Sequence, residues 1–374
     1  MATLPPADQL LDSIRTSCHA CTTRSLITID DEAIDSYLLS IDQQQWDAGT
    51  GPEKHGVRLP LRFDSPDDEL NLFSVLALLN FLSGYRTALH RLTGRGAYST
   101  ILSLVLSAYL AGTDTSSPSL LSTAGMLAAT PASLAGLARI QTHTEKDHPT
   151  LGAAVRVGEK DAEAWEILEL LTGVLNETGG ILQGLGKKDL GSWVREKLEQ
   201  TNGDAGAMVR ELAEAFPAFR DVHVVDGEPV FIFKKALWLL AVVSLRFSTE
   251  SPPPFPLPKL DDFPVFADNV LPTLLLHHSI LSLSTSSDPA LSSLSATPSA
   301  PLPSTSATRL RAAAVTACAA LVRRAHALAA ENPAEHGWMS GWTEQRLDGW
   351  LWGEGKREGL RDVERVAERG TVFY

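Results

Sequence analysis

Asp268 is the residue whose surroundings most suggest chemistry. It is the single carboxylate of the apolar run Pro264-Val265-Phe266-Ala267-Asp268-Asn269-Val270-Leu271-Pro272. Proline on both sides discourages a continuous helix, so Asp268 is expected at a turn where it or Asn269 caps a helix continuing through His278. The same setting would strip water from the carboxylate and hold its charge ready for a developing cation. Cap and catalytic carboxylate both fit the local residues. Lys234 and Lys235 open another helix. Basic residues in a first turn oppose the macrodipole, which points to stems reaching solvent or to an anion, with solvent expected for one of the two. Asp348 lies in Leu347-Asp348-Gly349-Trp350-Leu351-Trp352, close in sequence to Trp338 and Trp342. Such a cluster fits a packed core, and it equally fits flat walls beside an acid that grip a heterocyclic base.

Other reactive residues carry less. Cys18-His19-Ala20-Cys21 has the look of half a zinc site, but the third and last cysteine, Cys318, stands alone in an alanine-rich run. Reduced thiols and no metal are expected. Gly94-Arg95-Gly96 at a helix start has the donors to cradle an anion, and a plain turn between helices accounts for it as well. His55 falls in the Gly/Pro-rich loop 49–66 and is expected at the surface.

The elements that must position these groups are mainly helical. A helix over 8–17, a brief extended piece at 26–29 and a capped helix after it form the entry. Residues 69–82 are almost continuously apolar and predict a helix buried on most sides, and 162–178 predict an amphipathic helix ended by Gly179-Gly180. Val222 to Phe233 is the one strong hairpin, two arms around Asp226-Gly227. Six prolines between Phe247 and Pro264 make a tether. Residues 282–308, rich in Ser, Thr, Pro and Ala with one charge, Asp288, are expected to be a disordered insert, followed by a helix over 309–329.

The chain has 374 residues, 44% of them apolar, enough for a substantial core. A net charge of −13 disfavours sequence-independent binding to nucleic acid. No uninterrupted apolar run reaches membrane-spanning length, and the first residues have neither signal-peptide nor presequence order, so a cytoplasmic protein without a membrane partner is expected.

Taken together and in order, Leu79-Asn80-Phe81, Ser83-Gly84-Tyr85-Arg86 to Gly94-Arg95-Gly96-Ala97, Leu175-Asn176-Glu177-Thr178-Gly179, Phe216-Pro217-Ala218-Phe219-Arg220-Asp221, Phe233-Lys234-Lys235-Ala236, Phe266-Ala267-Asp268 with Leu271-Pro272, and Leu351-Trp352 form a pattern. It resembles the queuosine salvage protein family, queuosine 5′-phosphate N-glycosylase/hydrolase, in its fungal branch, over about residues 27–374. The resemblance implies a mostly α fold, one helical domain similar to the helix-rich DNA glycosylases, with a small hairpin. It implies hydrolysis of the N-glycosidic bond of queuosine 5′-monophosphate to release queuine for reinsertion into tRNA, without cofactor or metal and by a monomer. Asp268 matches the family's catalytic aspartate. Phe81 and Phe233 or Trp238 match aromatic walls, Lys234 a basic residue suited to the 5′-phosphate, and Asp348 an acid suited to reading the base. Asn269 joins the substrate-binding candidates beside Asp268, and His55 is carried over across a changed spacing. Gly353 stands where animal members have an acid. Competing readings are a glycosylase acting on nucleic acid and a non-enzymatic helical interaction protein.

Overall fold

The computed structural model describes residues 2–50, 59, 61–112, 118–148, 150–294, 301–360, 363 and 366–374. Helices dominate them, and strands occur only as three antiparallel pairs among the described residues. Met1–Phe63, Lys197–Glu368 and Phe373 form one compact unit, and Asp64–Glu196, Arg369–Val372 and Tyr374 form another.

The first unit begins with α1 (Leu10–Arg24), β1 (Thr28–Ile29), α2 (Asp31–Ser40) and α3 (Gln43–Gly49). Asp30 and Asp42 start α2 and α3 by accepting the amides of Ala33 and Gln45, which satisfies donors that a helix start leaves open. Helix α1 runs well past Ser17 and takes Cys18 and Cys21 into the core as free thiols.

The second unit holds α4 (Pro66–Leu78), α5 (Arg86–Thr93), α6 (Ala97–Ala111), α7 (Thr123–Ala128), α8 (Pro131–Ala138), β2 (His143–His148), β3 (Gly152–Lys160) and α9 (Ala162–Gly184). After them α10 (Leu190–Gln200) carries the chain back toward the first unit's sequence. Helix α4 is buried from Glu69 onward except at Asn71, as its apolar run predicts, but stops at Leu78, and Leu82 adopts a left-handed conformation at φ 78°. Gly179 and Gly180 do not end α9, which continues to Gly184. Gly179 serves close approach: a Cβ there would lie 2.9 Å from the Leu127 amide nitrogen. Asn176 Nδ2 completes that contact by donating to the carbonyls of Met126, Leu127 and Ala129 at 2.8, 3.3 and 3.2 Å. The Gly94-Arg95-Gly96 segment is the turn between α5 and α6, with Arg95 Nη1 donating to Ser103 Oγ at 3.1 Å.

The chain completes the first unit with α11 (Ala205–Ala215), β4 (Val222–Val225), β5 (Glu228–Phe231), α12 (Lys234–Phe247), α13 (Val270–His277), β6 (Leu281–Ser282), α14 (Pro289–Ser292), α15 (Ser304–Glu331), α16 (Pro333–His336) and α17 (Glu344–Glu354). The β4–β5 hairpin turns through Asp226 and Gly227 at φ 54° and 83°, the paired left-handed conformations of a tight hairpin. Strands β1 and β6 pair through Thr28 with Ser282 and Ile29 with Leu281. Helix α15 is the centre, packed against α1, α2, β4, α13 and α17. Its length and apolar composition would suffice to cross a membrane, but its most apolar window is 72% buried inside the protein, which makes it a core helix. Trp46 of α3 stacks face to face on Trp342 at 3.6 Å, with Trp338 and Trp350 tilted around it, so Trp342 and Trp350 build core while Trp338 lies half-buried at its edge.

The stretch expected to be disordered, 282–308, is structured where it is described. It contains the last residue of β6, all of α14 and the first turn of α15. Its single charge explains the order. Asp288 caps α14 through the Ala290 amide, and its other oxygen accepts from Ser306 Oγ and Arg309 Nη1 at 2.8 and 2.7 Å.

Candidate active site

The Pro264–Pro272 segment forms a turn that delivers Asp268 to the start of α13. Asp268 Oδ1 accepts the Val270 amide at 2.6 Å, so the carboxylate closes the local turn, while Asn269 holds the cap position without a side-chain cap bond. Two distant residues fix the turn itself. Asp348, on α17, accepts the Phe266 amide at 2.8 Å, and Arg311, on α15, donates from Nε to the Ala267 carbonyl at 2.8 Å. Each residue before Asp268 is therefore pinned by a buried charged side chain, and Thr273 Oγ1 bonds the Asn269 carbonyl just after it at 2.6 Å.

A second junction, where β5 enters α12, carries Lys234. Phe233 caps α12 in a left-handed conformation at φ 51°, strain that a non-glycine residue sustains only when its neighbours hold it. Asp221 does the holding. Its carbonyl accepts the amides of Ile232 and Phe233, and its carboxylate accepts the Lys234 amide at 3.2 Å. Arg311 grips that carboxylate with both terminal nitrogens at 3.0 and 2.6 Å, and His223 Nε2 lies 2.9 Å from Oδ1. One guanidinium thus touches both junctions.

The electrostatics follow from burial. Asp348, 8% exposed, is raised to about 7 by loss of water and by the charge of Asp268, with the Phe266 amide and Lys234 opposing. Lys234, 5% exposed, falls to about 8 because burial outweighs the attraction of Asp268. Lys235 lies well below the ordinary lysine range, through burial and the neighbouring Lys234 charge. For Asp221 burial opposes ionisation, but Arg311 and His223 outweigh it and hold the carboxyl far below the usual range. Asp348 and Lys234 each feel the charge of Asp268 and of one another, which places both beside the Asp268 carboxylate in a single field.

The expectation that one of the two lysines reaches solvent is wrong. Both are buried, at 5% and 2%, because the first turn of α12 sits inside the core, with Lys235 over the Phe219 ring at 5.6 Å. Phe233 is fully buried and its ring stacks on Phe231 at 6.0 Å. Trp238 is half-buried and lies one turn beyond Lys234, on the same helix face. Asn269 is 4% exposed next to Asp268. Phe81 belongs to the second unit, buried after the end of α4, and His55 lies outside the described residues. Sequence reasoning missed Arg311. The signal was present: Ala307, Thr308, Ala314 and Val315 stand at its helical neighbour positions, so no acid on its own helix face can balance it. A separate surface groove of about 450 Å³ between α1 and β5, bordered by Ser13, Ser17, Glu228 and Phe231, contains none of the cluster.

Residues 140–374 match the family model of the queuosine salvage protein. The chain belongs to that family. None of the curated proteins compared with it matches. Every member of the cluster, from Asp221 to Asp348, lies within the matched range, whereas Phe81 and His55 precede it. Membership gives the chain a role in queuosine salvage.

Proposed function

We propose that the chain hydrolyses the N-glycosidic bond of queuosine 5′-monophosphate and releases queuine. The observation that carries this reading is the shared field around Asp268: Asp348 and Lys234, an acid and a base that are costly to bury and of no use to an apolar core, both feel the charge of the half-buried Asp268. Breaking a ribosyl C–N bond develops positive charge on the sugar, which a fixed carboxylate stabilises. With Asp268 Oδ1 committed to the Val270 amide, Oδ2 is the oxygen assigned to the sugar face. Asp348 as a carboxylate accepts the ring and exocyclic N–H donors of a guanine-like base, and the Lys234 ammonium meets the 5′-phosphate. Water adds its oxygen to C1′, and the bond's electron pair and a proton pass to the base nitrogen. A 7-deazapurine has no N7 to protonate, so the sugar-side carboxylate bears more of the barrier. The Asp268–Val270 bond favours the competing view of Asp268 as a turn-closing residue alone. Incubating the purified protein with queuosine 5′-monophosphate and following free queuine by chromatography tests the proposal; no queuine above the no-enzyme control rejects it.

A further inference from the structure

We infer that Arg311 and Asp221 form a positioning strut that sets the distance between the Asp268 turn and Lys234. This rests on the proposed glycosidase reading for its activity arm only. The pair is buried on both sides, at 2% exposure each. A buried ion pair is a poor way to gain stability, because the cost of desolvating two charges cancels most of their attraction, and apolar residues of similar volume often do as well. What the pair supplies here is reach. Three guanidinium nitrogens are used: Nε on the carbonyl of Ala267, the residue before Asp268, and Nη1 and Nη2 on the Asp221 carboxylate. Asp221 continues the line to the amide of Lys234 itself and to those of Ile232 and Phe233. The strut therefore ends on the backbone beside Asp268 and on that of Lys234, the two residues assigned to substrate, and its planar fork fixes angle as well as distance. Sub-ångström spacing between a sugar-side carboxylate and a phosphate-side ammonium is the kind of quantity on which turnover depends steeply. Neither residue touches substrate in this reading; both act through the backbone they hold.

The test uses two variants of the full chain. Asp221→Asn/Arg311→Met removes both charges of the pair together and keeps an acceptor for the Lys234 amide, but cannot bridge to Ala267. Arg311→Lys keeps a charge beside Asp221 and gives up the fork. Both are expected to lose about 10²-fold in kcat with KM for queuosine 5′-monophosphate within about threefold of wild type. Amide hydrogen exchange over 264–270 is expected to quicken in both, at a temperature where circular dichroism shows them folded. Wild-type turnover in either folded variant, or unchanged exchange over 264–270, overturns the strut. Quickened exchange in the variants, with no queuine released even by the wild type, would support the strut and reject the proposed function instead.

Discussion

Replacing Asp348 by Asn turns the burial of that carboxyl into a measurable free energy. The amide keeps the side chain's shape and an oxygen for the Phe266 N–H, so the change removes the charge and little else. Asp348 rises from 3.8 to about 7, first through burial and second through Asp268. A shift of about three units at about 1.4 kcal/mol each corresponds to an upper bound near 4 kcal/mol. The folded state holds the proton more tightly than the unfolded chain. Its stabilising effect is complete below the unfolded value of 3.8 and is lost as pH climbs through about 7. Asn carries no such dependence. Urea unfolding of both proteins should therefore show Asp348→Asn gaining on wild type by about 3 kcal/mol between about pH 4.5 and about pH 7.5. That window stops short of Lys234, which is lowered to about 8. Repeating the pair in an Asp268→Asn background should shrink the gain, since the second cause is gone. A gap that stays constant within about 0.5 kcal/mol across the window would refute the picture of an acid forced to ionise in the core.

Asp268→Asn is nearly isosteric and should leave calorimetric binding of queuosine 5′-monophosphate intact while removing at least ~10²-fold of the hydrolysis rate; full activity would take Asp268 out of the mechanism. Lys234→Ala should weaken binding of the monophosphate far more than that of the free nucleoside, and equal losses on both would dismiss the phosphate contact. The pH profile of kcat/KM should rise toward about 7 as Asp348 ionises and fall above about 8 as Lys234 loses its proton. Asp348→Asn should lose the acidic limb, and a limb unchanged in that variant would assign it to another group.

The parts legible in the sequence were those whose signals are local. Proline on either side of Asp268 marked the turn, Asp226-Gly227 between β-branched arms marked the hairpin, and the extended piece at 26–29 marked the approach to the capped helix α2. Signals that need a distant partner were read wrongly or missed. One of Lys234 and Lys235 looks like a solvated helix start until the first turn of α12 is found inside the core. Arg311 looks like one of several arginines on an alanine-rich helix, although its partner Asp221 lies 90 residues away. Strands β2 and β3 escaped because nearly every described residue in them is exposed, so neither face carries the apolar alternation that reveals a half-buried strand. The structured part of 282–308 depends on one aspartate meeting Ser306 and Arg309, which composition averages away.

The order in which the chain visits its two compact units constrains how it can emerge from a ribosome. Helix α1 is finished at Arg24, yet the long helix it packs against begins only at Ser304, roughly 280 residues later. At ~5–20 residues per second the part of α1 that packs on α15 waits on the order of 15–60 s for its complement, longer than the parts that meet α11 and β5. Most of the intervening unit, Asp64–Glu196, can meanwhile close on its own contacts. Nascent chains stalled before Ser304 should thus be the sticky ones, bound by chaperones at α1, and release should coincide with synthesis of α15.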